Sequence, residues 1–440
     1  MKKRIVATLM AVALAVTGLA GCGSNSAGST EGAAAQEESA PAETATEPAE
    51  AAAPAEKENV KLVMWGGEED QTMLKGMVDS FIEENADIAN WDITIGVESE
   101  STAKDTILTD VEAAADVYAF ADDQLNELVA AGALQEVTMN TDAIVAAAGG
   151  ADSGSVQAAM KDGKLYAYPM TADNGYFMFY DKSVFTEDDV KSFDKMLEVA
   201  AAAGKKVTMD WSSGWYIYAF FASAGLELGL EADGLTNICN WNSADGKYSG
   251  VNVAEAMLAI AAHPGFINTN DAGFVAGVQD GSIAAGINGV WNAVAAEEAW
   301  GENYAAAKLP TYTLAGDQVQ MASFAGYKLL GVNPYSEYAG YAMLLAEYIT
   351  NYDNQLVRFT ERGQGPANVE AAASDAVQGA PAIAALAEQA QYATVQRVGG
   401  NYWDPIQSFG AIMAAGNSDG TDLQTLLDNL VEGITAPVME

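Results

Sequence analysis

The sequence predicts an α/β protein that is divided into two lobes. Two observations lead to this prediction: short apolar strand-like segments alternate with segments whose apolar residues recur at helical spacing, and this alternation starts afresh after residue 173. Alternating strands and helices are typical of parallel sheets covered by helices. The chain has 440 residues, half of them apolar, and is therefore long enough for more than one lobe.

The first series of elements begins at residue 61. Residues 61–65 form an apolar segment that Gly66 and Gly67 end, and residues 70–84 carry apolar side chains at helical spacing. The elements that follow are a predicted strand at 91–97, a helix at 103–114, a strand at 116–120 and a helix at 125–131. This order predicts parallel βαβ units.

The second series follows residue 173 and predicts a second α/β lobe. Its elements are a strand at 175–180, a helix at 193–203, a strand at 207–209, helices at 216–224, 254–262 and 274–280, and a strand at 283–288. Two further β-rich stretches lie at 319–324 and 327–332, and the remainder is mostly helical up to a last helix at 423–434. Breaks containing Pro or Gly at 169–175, 310–313 and 363–366 are candidate joints between the lobes.

Charge and composition exclude several classes of function. The chain has 61 Asp and Glu against 20 Lys and Arg, a net charge of −41, whereas a nucleic-acid binder needs basic contacts to phosphate. One His and two Cys speak against a His-rich metal site, a disulfide framework or a zinc ribbon. Because no catalytic triad, phosphate-binding Gly loop or metal motif is recognisable, we predict no catalytic residue, no metal and no cofactor.

The N-terminus predicts a secretory signal and a membrane tether. Residues 1–21 combine Lys2, Lys3 and Arg4 with a short apolar run, and residues 19–22 resemble the lipobox of bacterial lipoproteins, which places a lipid on Cys22. Residues 23–58 contain no Val, Ile, Leu, Met or aromatic residue, so residues 22–58 are predicted to form a lipidated, disordered tether. A tether of this length favours a Gram-positive cell surface. Lipidation of Cys22 leaves Cys239 without a partner, and we predict a buried free thiol there.

Five segments carry a resemblance to a known family. They lie at 61–65, 116–123, 163–169, 179–181 and 285–291, in the family's order. Together they resemble family 1 of the extracellular solute-binding proteins, most closely the maltose/maltodextrin-binding branch that serves sugar ABC importers. The resemblance covers residues 61 to 434, which is nearly all of the chain after the tether.

The resemblance implies a periplasmic-binding-protein-like fold, in which two α/β lobes joined by three hinge crossovers close on a ligand in the cleft between them. The three candidate joints match those crossovers in position. We therefore expect an N-terminal lobe of residues 59–171 plus 312–363 and a C-terminal lobe of residues 175–310 plus 367–440. The stretch from Pro169 to Tyr180 is one residue longer than in the maltose-binding pattern, which leaves the register near Asp173 open.

Aromatic and acidic residues near strand ends suit a sugar ligand. Aromatic rings stack on the C–H faces of sugars, and carboxylates accept strong hydrogen bonds from hydroxyls. By resemblance, Trp215, Trp291 and Trp403 match stacking positions, whereas Asp123 and Asp173 match hydroxyl-binding carboxylates. The alternative for the aromatic side chains is packing in the core, and for the carboxylates it is a solvated surface. The predicted ligand-binding residues are Glu68, Glu69, Phe120, Asp123, Asp173, Tyr176, Trp211, Trp215, Trp291 and Trp403.

These observations favour a monomeric, lipid-anchored protein on the outer face of the cell membrane that binds an oligosaccharide and delivers it to the permease subunits of an ABC importer. Malto-oligosaccharide is the ligand that the resemblance favours, and other oligosaccharides share the scaffold. A polyamine is an alternative, because the same aromatic and acidic groups bind amines; its binding would weaken with salt. A third hypothesis is a secreted glycoside hydrolase that uses two carboxylates, although no pair of carboxylates stands out in the sequence.

Overall fold

The computed structural model describes residues 57–437. The predicted signal segment, the lipidation site Cys22 and nearly all of the predicted tether lie outside the described residues. No helix between residues 57 and 437 is both long and apolar enough to cross a membrane.

Strands and helices alternate along the described chain. The strands are β1 Asn59–Gly66, β2 Asn90–Val97, β3 Val117–Ala121, β4 Met160–Lys161, β5 Lys164–Leu165, β6 Ala167–Thr171, β7 Tyr176–Asp181, β8 Lys206–Met209, β9 Leu228–Leu230, β10 Asn237–Cys239, β11 Phe266–Asn268, β12 Ile283–Gly289, β13 Tyr304–Ala307, β14 Thr311–Leu314, β15 Asp317–Gln320, β16 Ser323–Ala325, β17 Lys328–Val332 and β18 Ala393–Val395. The helices are α1 Gln71–Glu84, α2 Ala103–Thr109, α3 Leu125–Ala130, α4 Thr141–Ala147, α5 Gly154–Ala158, α6 Phe193–Ala202, α7 Gly214–Ser223, α8 Gly250–Ala261, α9 Asp271–Asp280, α10 Ala293–Trp300, α11 Ala339–Ile349, α12 Tyr352–Arg362, α13 Val369–Ala372, α14 Asp375–Gln378, α15 Pro381–Gln389, α16 Trp403–Ala414 and α17 Leu423–Ile434.

The first lobe is built on a five-stranded sheet of order β2-β1-β3-β17-β6. β1 runs parallel to β2 and β3, whereas β17 runs antiparallel to β3 and β6. The carboxyl ends of β1, β3 and β6 therefore share an edge with the start of β17. Lys328 pairs with Ala121 on one side and Thr171 on the other, so it lies at this edge.

The second lobe is built on a five-stranded sheet of order β11-β8-β12-β7-β13. β8, β11 and β12 are parallel, whereas β7 runs antiparallel to β12 and β13. Gly289 at the end of β12 pairs with Tyr176 at the start of β7. The end of β8, the end of β12 and the start of β7 thus share one edge, which is where ligands bind in α/β folds.

Each sheet has its own hydrophobic core. In the first lobe, Met64 of β1 and Phe81 of α1 are each 1% exposed. In the second lobe, Met178 of β7, Met209 of β8 and Phe220 of α7 are fully buried. Burial of one such side chain contributes about 1.5–3 kcal/mol, so each lobe has a substantial core of its own. The prediction of a two-lobed α/β protein is confirmed.

Two crossovers between the lobes lie side by side. The first leads from β6 to β7, and the segment after α12 runs beside it. Ala172 donates its backbone N–H to Gly365 at 3.0 Å, and Gly365 donates its own to the carboxylate of Asp173. Thr171 and Pro366 form an isolated β-bridge. These bonds join the two segments into one connection.

The remaining crossover lies later in the chain than the expected joint at 310–313. β14 and β15 form a hairpin on the second lobe, where Tyr312 is fully buried and donates its hydroxyl to the Phe220 carbonyl at 3.0 Å. Phe324 of β16 belongs to the same core. The chain reaches the first sheet only at β17, so the crossing lies between β16 and β17. Pro310 suggested an earlier break, but burial of the hairpin's apolar side chains keeps it on the second lobe.

Among the elements whose bounds differ from the sequence-based expectation are α2 and the β-rich stretch at 319–324. α2 ends at Thr109 instead of residue 114, because Asp110 adopts an extended conformation and its Oδ1 accepts the Ala113 N–H at 3.2 Å. Side-chain oxygens of this kind compete with helical hydrogen bonds. The β-rich stretch at 319–324 divides into the end of β15 and the start of β16, which pair with different strands.

Candidate ligand-binding cleft

Short 3-10 turns carry several predicted site residues at the facing edges of the two sheets. Glu68–Asp70 follows β1, Asp122–Gln124 follows β3, Val290–Asn292 follows β12, and Gly400–Tyr402 precedes α16. These turns hold, or directly precede, the predicted residues Glu68, Glu69, Asp123, Trp291 and Trp403.

Side chains of the two lobes meet across this region. Asn126 of α3 donates its amide to the Gly234 carbonyl at 3.2 Å. Arg397 donates to Asp122 Oδ2 at 2.6 Å, and that carboxylate is fully buried. Gly326, just before β17, lies against the Asp122 carboxylate. Only glycine fits there, because a Cβ would lie 2.6 Å from Oδ1. The two edges therefore face and contact each other, which makes them the candidate walls of a ligand cleft.

Trp291 is the predicted aromatic residue best placed to stack on a ligand. Its indole N–H donates to Asp271 Oδ2 at 3.0 Å, and the other oxygen of this carboxylate accepts the Asn288 amide at 2.9 Å. Tyr216 in turn donates its hydroxyl to Asn288 Oδ1 at 3.1 Å. The Trp291 side chain remains half-buried while these bonds fix its indole edge. A ring held in this way loses little conformational freedom when a ligand stacks on it.

Trp215 and Tyr176 form an aromatic cluster beside the cleft. Trp215 is 9% exposed and packs 5.6 Å from Tyr176 and 5.4 Å from Phe324, measured between ring centroids. Tyr176 is fully buried, and its hydroxyl accepts the Phe324 N–H at 3.3 Å. Tyr176 therefore supports Trp215 and exposes no surface of its own, contrary to its prediction as a binding residue. Trp403 is half-buried and packs 4.9 Å from Tyr402.

Two predicted aromatic ligand residues belong to the cores. Trp211 is fully buried and packs on Phe266 at 4.8 Å and Phe220 at 5.6 Å. Phe120 is fully buried in the first lobe, with Tyr118 at 6.5 Å. β3 is covered on both faces, so alternation along the strand does not bring Phe120 to the cleft. Contrary to both predictions, the structure places these rings in the hydrophobic cores and not on the surface of the cleft.

One carboxylate oxygen of Asp123 has no donor. Its Oδ1 is buried and makes no hydrogen bond with any described residue. Burial and the charge of Asp122 raise the pKa of Asp123 to about 7, and the Lys104 charge and the Gln396 amide offset part of this rise. A buried carboxylate oxygen without a donor is costly, whereas a hydroxyl that donates to Oδ1 would remove much of that cost.

Asp173 lies in the first crossover, between β6 and β7. It is 3% exposed, and burial raises its pKa to about 6, although the Gly365 N–H and the Lys328 charge oppose the rise. Its contact with Gly365 gives Asp173 a structural role between two crossovers, and its contact with a ligand hydroxyl stays a prediction. Glu68 and Glu69 are exposed on their turn, and the Glu69 carboxylate lies beside Gly67.

Sequence reasoning missed a buried ionic cluster behind the first turn. Asp70 is 4% exposed and pairs with Arg358 and, at 2.9 Å, with Arg362, both from α12. Burial alone would raise the Asp70 pKa, but Arg358, Lys328 and Arg362 outweigh it and hold the pKa below its usual value.

Lys328 is the second group that sequence reasoning missed. Its Nζ lies 3.6 Å from Glu100 Oε1 in the first lobe and 5.7 Å from the centroid of the Trp291 ring in the second. The Lys328 and Glu100 side chains are only 14% and 11% exposed. A lysine that opens an otherwise apolar strand was the one available signal for this site.

Other groups with potential chemistry lie outside the cleft. Within residues 57–437 there is no group of three or more His, Cys, Asp and Glu placed to hold a metal ion. Cys239 is a free, partly buried thiol, and burial raises its pKa to about 12, which makes it a poor nucleophile. A surface cavity lined by Lys61, Asp116, Asn333 and Tyr335 lies at the opposite end of the first sheet.

Comparison with known proteins gives one family. The family model described as bacterial extracellular solute-binding protein matches residues 76–385. A curated relative, the galactooligosaccharide-binding protein of Bacillus subtilis (strain 168), is 26% identical over 394 residues, which cover 84% of this chain and 88% of the relative.

Solved structures agree with that match. A protein solved with acarbose is 31% identical, with a TM-score of 0.74 over 86% of this chain and 99% of its own. The maltodextrin binding protein MalE1 from L. casei BL23, solved without ligand, is 25% identical, with a TM-score of 0.69 over 86% of this chain and all of its own.

Proposed function

Because the chain belongs to the bacterial extracellular solute-binding proteins, we propose that it binds a neutral oligosaccharide in the cleft between its lobes and delivers it to an ABC importer. The observation that carries this proposal is Trp291, an aromatic ring held rigidly at the cleft by Asp271. The names of the similar proteins, which mention galactooligosaccharide, acarbose and maltodextrin, support an oligosaccharide ligand. Malto-oligosaccharide remains our first choice.

The chemistry of the cleft suits a neutral polyol. A sugar ring stacked on Trp291 would bury its C–H face, and a hydroxyl could donate to the unpartnered Oδ1 of Asp123. A hydrogen bond to a charged acceptor contributes about 1.5–3 kcal/mol. Glu68 and Glu69 offer further acceptors at the rim, while Trp215 and Trp403 extend the aromatic surface.

Binding is proposed to shift the lobes toward a closed form. A ligand that contacts both walls binds the closed form more tightly and therefore increases its population. The hinge would consist of the paired segments at Ala172 and Gly365 and of the crossing between β16 and β17. We assign residues 59–171 and 326–363 to the first lobe, and 175–325 and 367–437 to the second. Small-angle scattering should record a smaller radius of gyration with saturating ligand, and an unchanged radius would argue against closure.

We propose binding without chemistry on the sugar. The adjacent carboxylates of Asp122 and Asp123 do not form a free acid–base pair, because Asp122 is committed to Arg397 and the Tyr327 N–H. Mass spectrometry of an oligosaccharide incubated with the pure protein should recover it intact. Shortened products would instead support the hypothesis of a glycoside hydrolase.

The N-terminal segment is proposed to anchor a monomer at the outer face of the membrane through lipid on Cys22. The variant C22S should move from the membrane fraction to the medium while keeping its ligand affinity. Membrane retention of C22S would contradict lipid anchoring.

Calorimetric titration of residues 57–440 with maltotriose and galacto-oligosaccharides tests the binding proposal. We expect saturable binding whose affinity changes little between low and high salt, because the ligand is neutral. Absence of a response to any oligosaccharide at millimolar concentration would remove the proposal.

A further inference from the structure

Lys328 occupies a position between the two walls of the cleft. It opens β17 of the first lobe, yet its Nζ lies over the ring of Trp291 in the second lobe, at 5.7 Å from the centroid. That distance is within the range of a cation–π contact. The Lys328 ammonium therefore already lies against the Trp291 ring, on which the proposed function places the ligand.

Carboxylates surround this ammonium in the first lobe. Glu100 Oε1 lies at 3.6 Å, and the Lys328 charge also acts on the carboxyls of Asp70 and Asp173. Asp70 is already neutralised by Arg358 and Arg362, and Asp173 is bonded to Gly365. Glu100 is therefore the carboxylate that Lys328 pairs with directly. Both groups are almost buried, which limits screening by salt.

A cationic ligand would need the two partners that Lys328 takes. Amines bind to aromatic faces and carboxylates, and here these are Trp291 and Glu100. With Lys328 in place, an incoming ammonium would meet a like charge and no free carboxylate at this point. A neutral sugar meets no such repulsion. Its hydroxyls can accept from the Lys328 ammonium and donate to Glu100, so the ion pair offers a donor and an acceptor side by side.

We propose that Lys328 is a specificity-determining residue of the cleft, which donates to a hydroxyl of a neutral oligosaccharide and excludes cationic amines from Trp291 and Glu100. This inference rests on the proposed function, which it deepens by stating how a strongly acidic protein selects against cations. Repulsion of the competitor gives specificity independently of the strength of the favourable contacts.

The test compares K328Q and K328M with the matched control K247Q. Lys247 also pairs with a carboxylate, Asp317 at 2.9 Å, and lies over an aromatic ring, Tyr248 at 4.7 Å, but its side chain is 71% exposed and its partner lies on the β14–β15 hairpin. All three variants lose one positive charge. K328M keeps an apolar stem for packing if K328Q folds poorly, and thermal unfolding verifies each variant. Spermidine and maltotriose are titrated by calorimetry and Trp fluorescence at low and high salt.

We expect wild type and K247Q to bind spermidine at least tenfold more weakly than K328Q or K328M, whose spermidine binding should weaken as salt rises. Maltotriose affinity should fall about tenfold in both Lys328 variants and stay unchanged in K247Q, because a charged donor is lost. Equal spermidine affinity in wild type and a folded Lys328 variant would overturn the inference, whatever the sugar result. Failure of wild type to bind any oligosaccharide would instead refute the proposed function, and the spermidine comparison would still decide the role of Lys328.

Discussion

Replacement of Asp123 by asparagine should stabilise the ligand-free protein at alkaline pH. The carboxyl is buried with an unpartnered Oδ1, beside a second carboxylate at Asp122. Folding therefore forces a charged group into a site that favours its neutral form. The variant D123N removes the charge and keeps the shape, so the cost of burying that charge disappears.

The magnitude follows from the shifted pKa. An increase in the Asp123 pKa from 3.8 to about 7 corresponds to an upper limit of about 4 kcal/mol, at about 1.4 kcal/mol for each tenfold change. The pKa of Asp123 is higher in the folded protein than in the unfolded chain, so this carboxyl favours folding while it is protonated. Its contribution to the free energy of unfolding is complete below the unfolded pKa and is lost as the pH rises from about 4 to about 7. The advantage of D123N should thus be at most about 4 kcal/mol at pH 8 and at most about 2 kcal/mol at pH 5.

Urea unfolding at pH 8 and pH 5 measures this difference. pH 5 stays above the sequence isoelectric point of about 4.1. The control is D419N, which removes an exposed carboxylate. An advantage of D123N that does not depend on pH, or one equal to that of D419N, would refute the reasoning. In the ligand titration D123N should bind maltotriose at least tenfold more weakly, because the charged acceptor is lost.

Three further substitutions separate the cleft from the cores. W291F should weaken maltotriose binding about tenfold or more in calorimetry without a large change in melting temperature, whereas the control W91F, on the far side of the first lobe, should leave affinity unchanged. W211F should lower the free energy of unfolding by about 1–3 kcal/mol and leave affinity unchanged, because Trp211 is a core residue; a selective loss of binding would return it to the site. D70N should cost about 3–5 kcal/mol in chemical unfolding, because it leaves Arg358 buried without its carboxylate.

The elements with strong local patterns could be predicted from the sequence. Apolar residues at helical spacing placed a helix at 70–84, and α1 runs from Gln71 to Glu84. The strand expected at 91–97 is β2, Asn90–Val97. In both cases the side-chain period and the packing agree, because each element lays one regular face on the core. The fold class followed from the order of such elements.

The site was only partly predictable, because exposure depends on distant neighbours. Trp211 and Trp291 each follow a strand and look alike in sequence. Phe266 from β11 covers Trp211, whereas Trp291 lies at the edge facing the other lobe. The same limit applies to charges: Arg397 reaches Asp122 across 275 positions, and no local pattern encodes that pair.

A crystal structure of the protein with maltotriose bound tests the central claim most directly. We predict a sugar ring against the face of Trp291, a hydroxyl on Asp123 Oδ1, and Lys328 and Glu100 bonded to hydroxyls at the same end of the ligand. A saturating ligand found elsewhere on the protein, with Trp291 and Asp123 free of it, would contradict this account of the cleft.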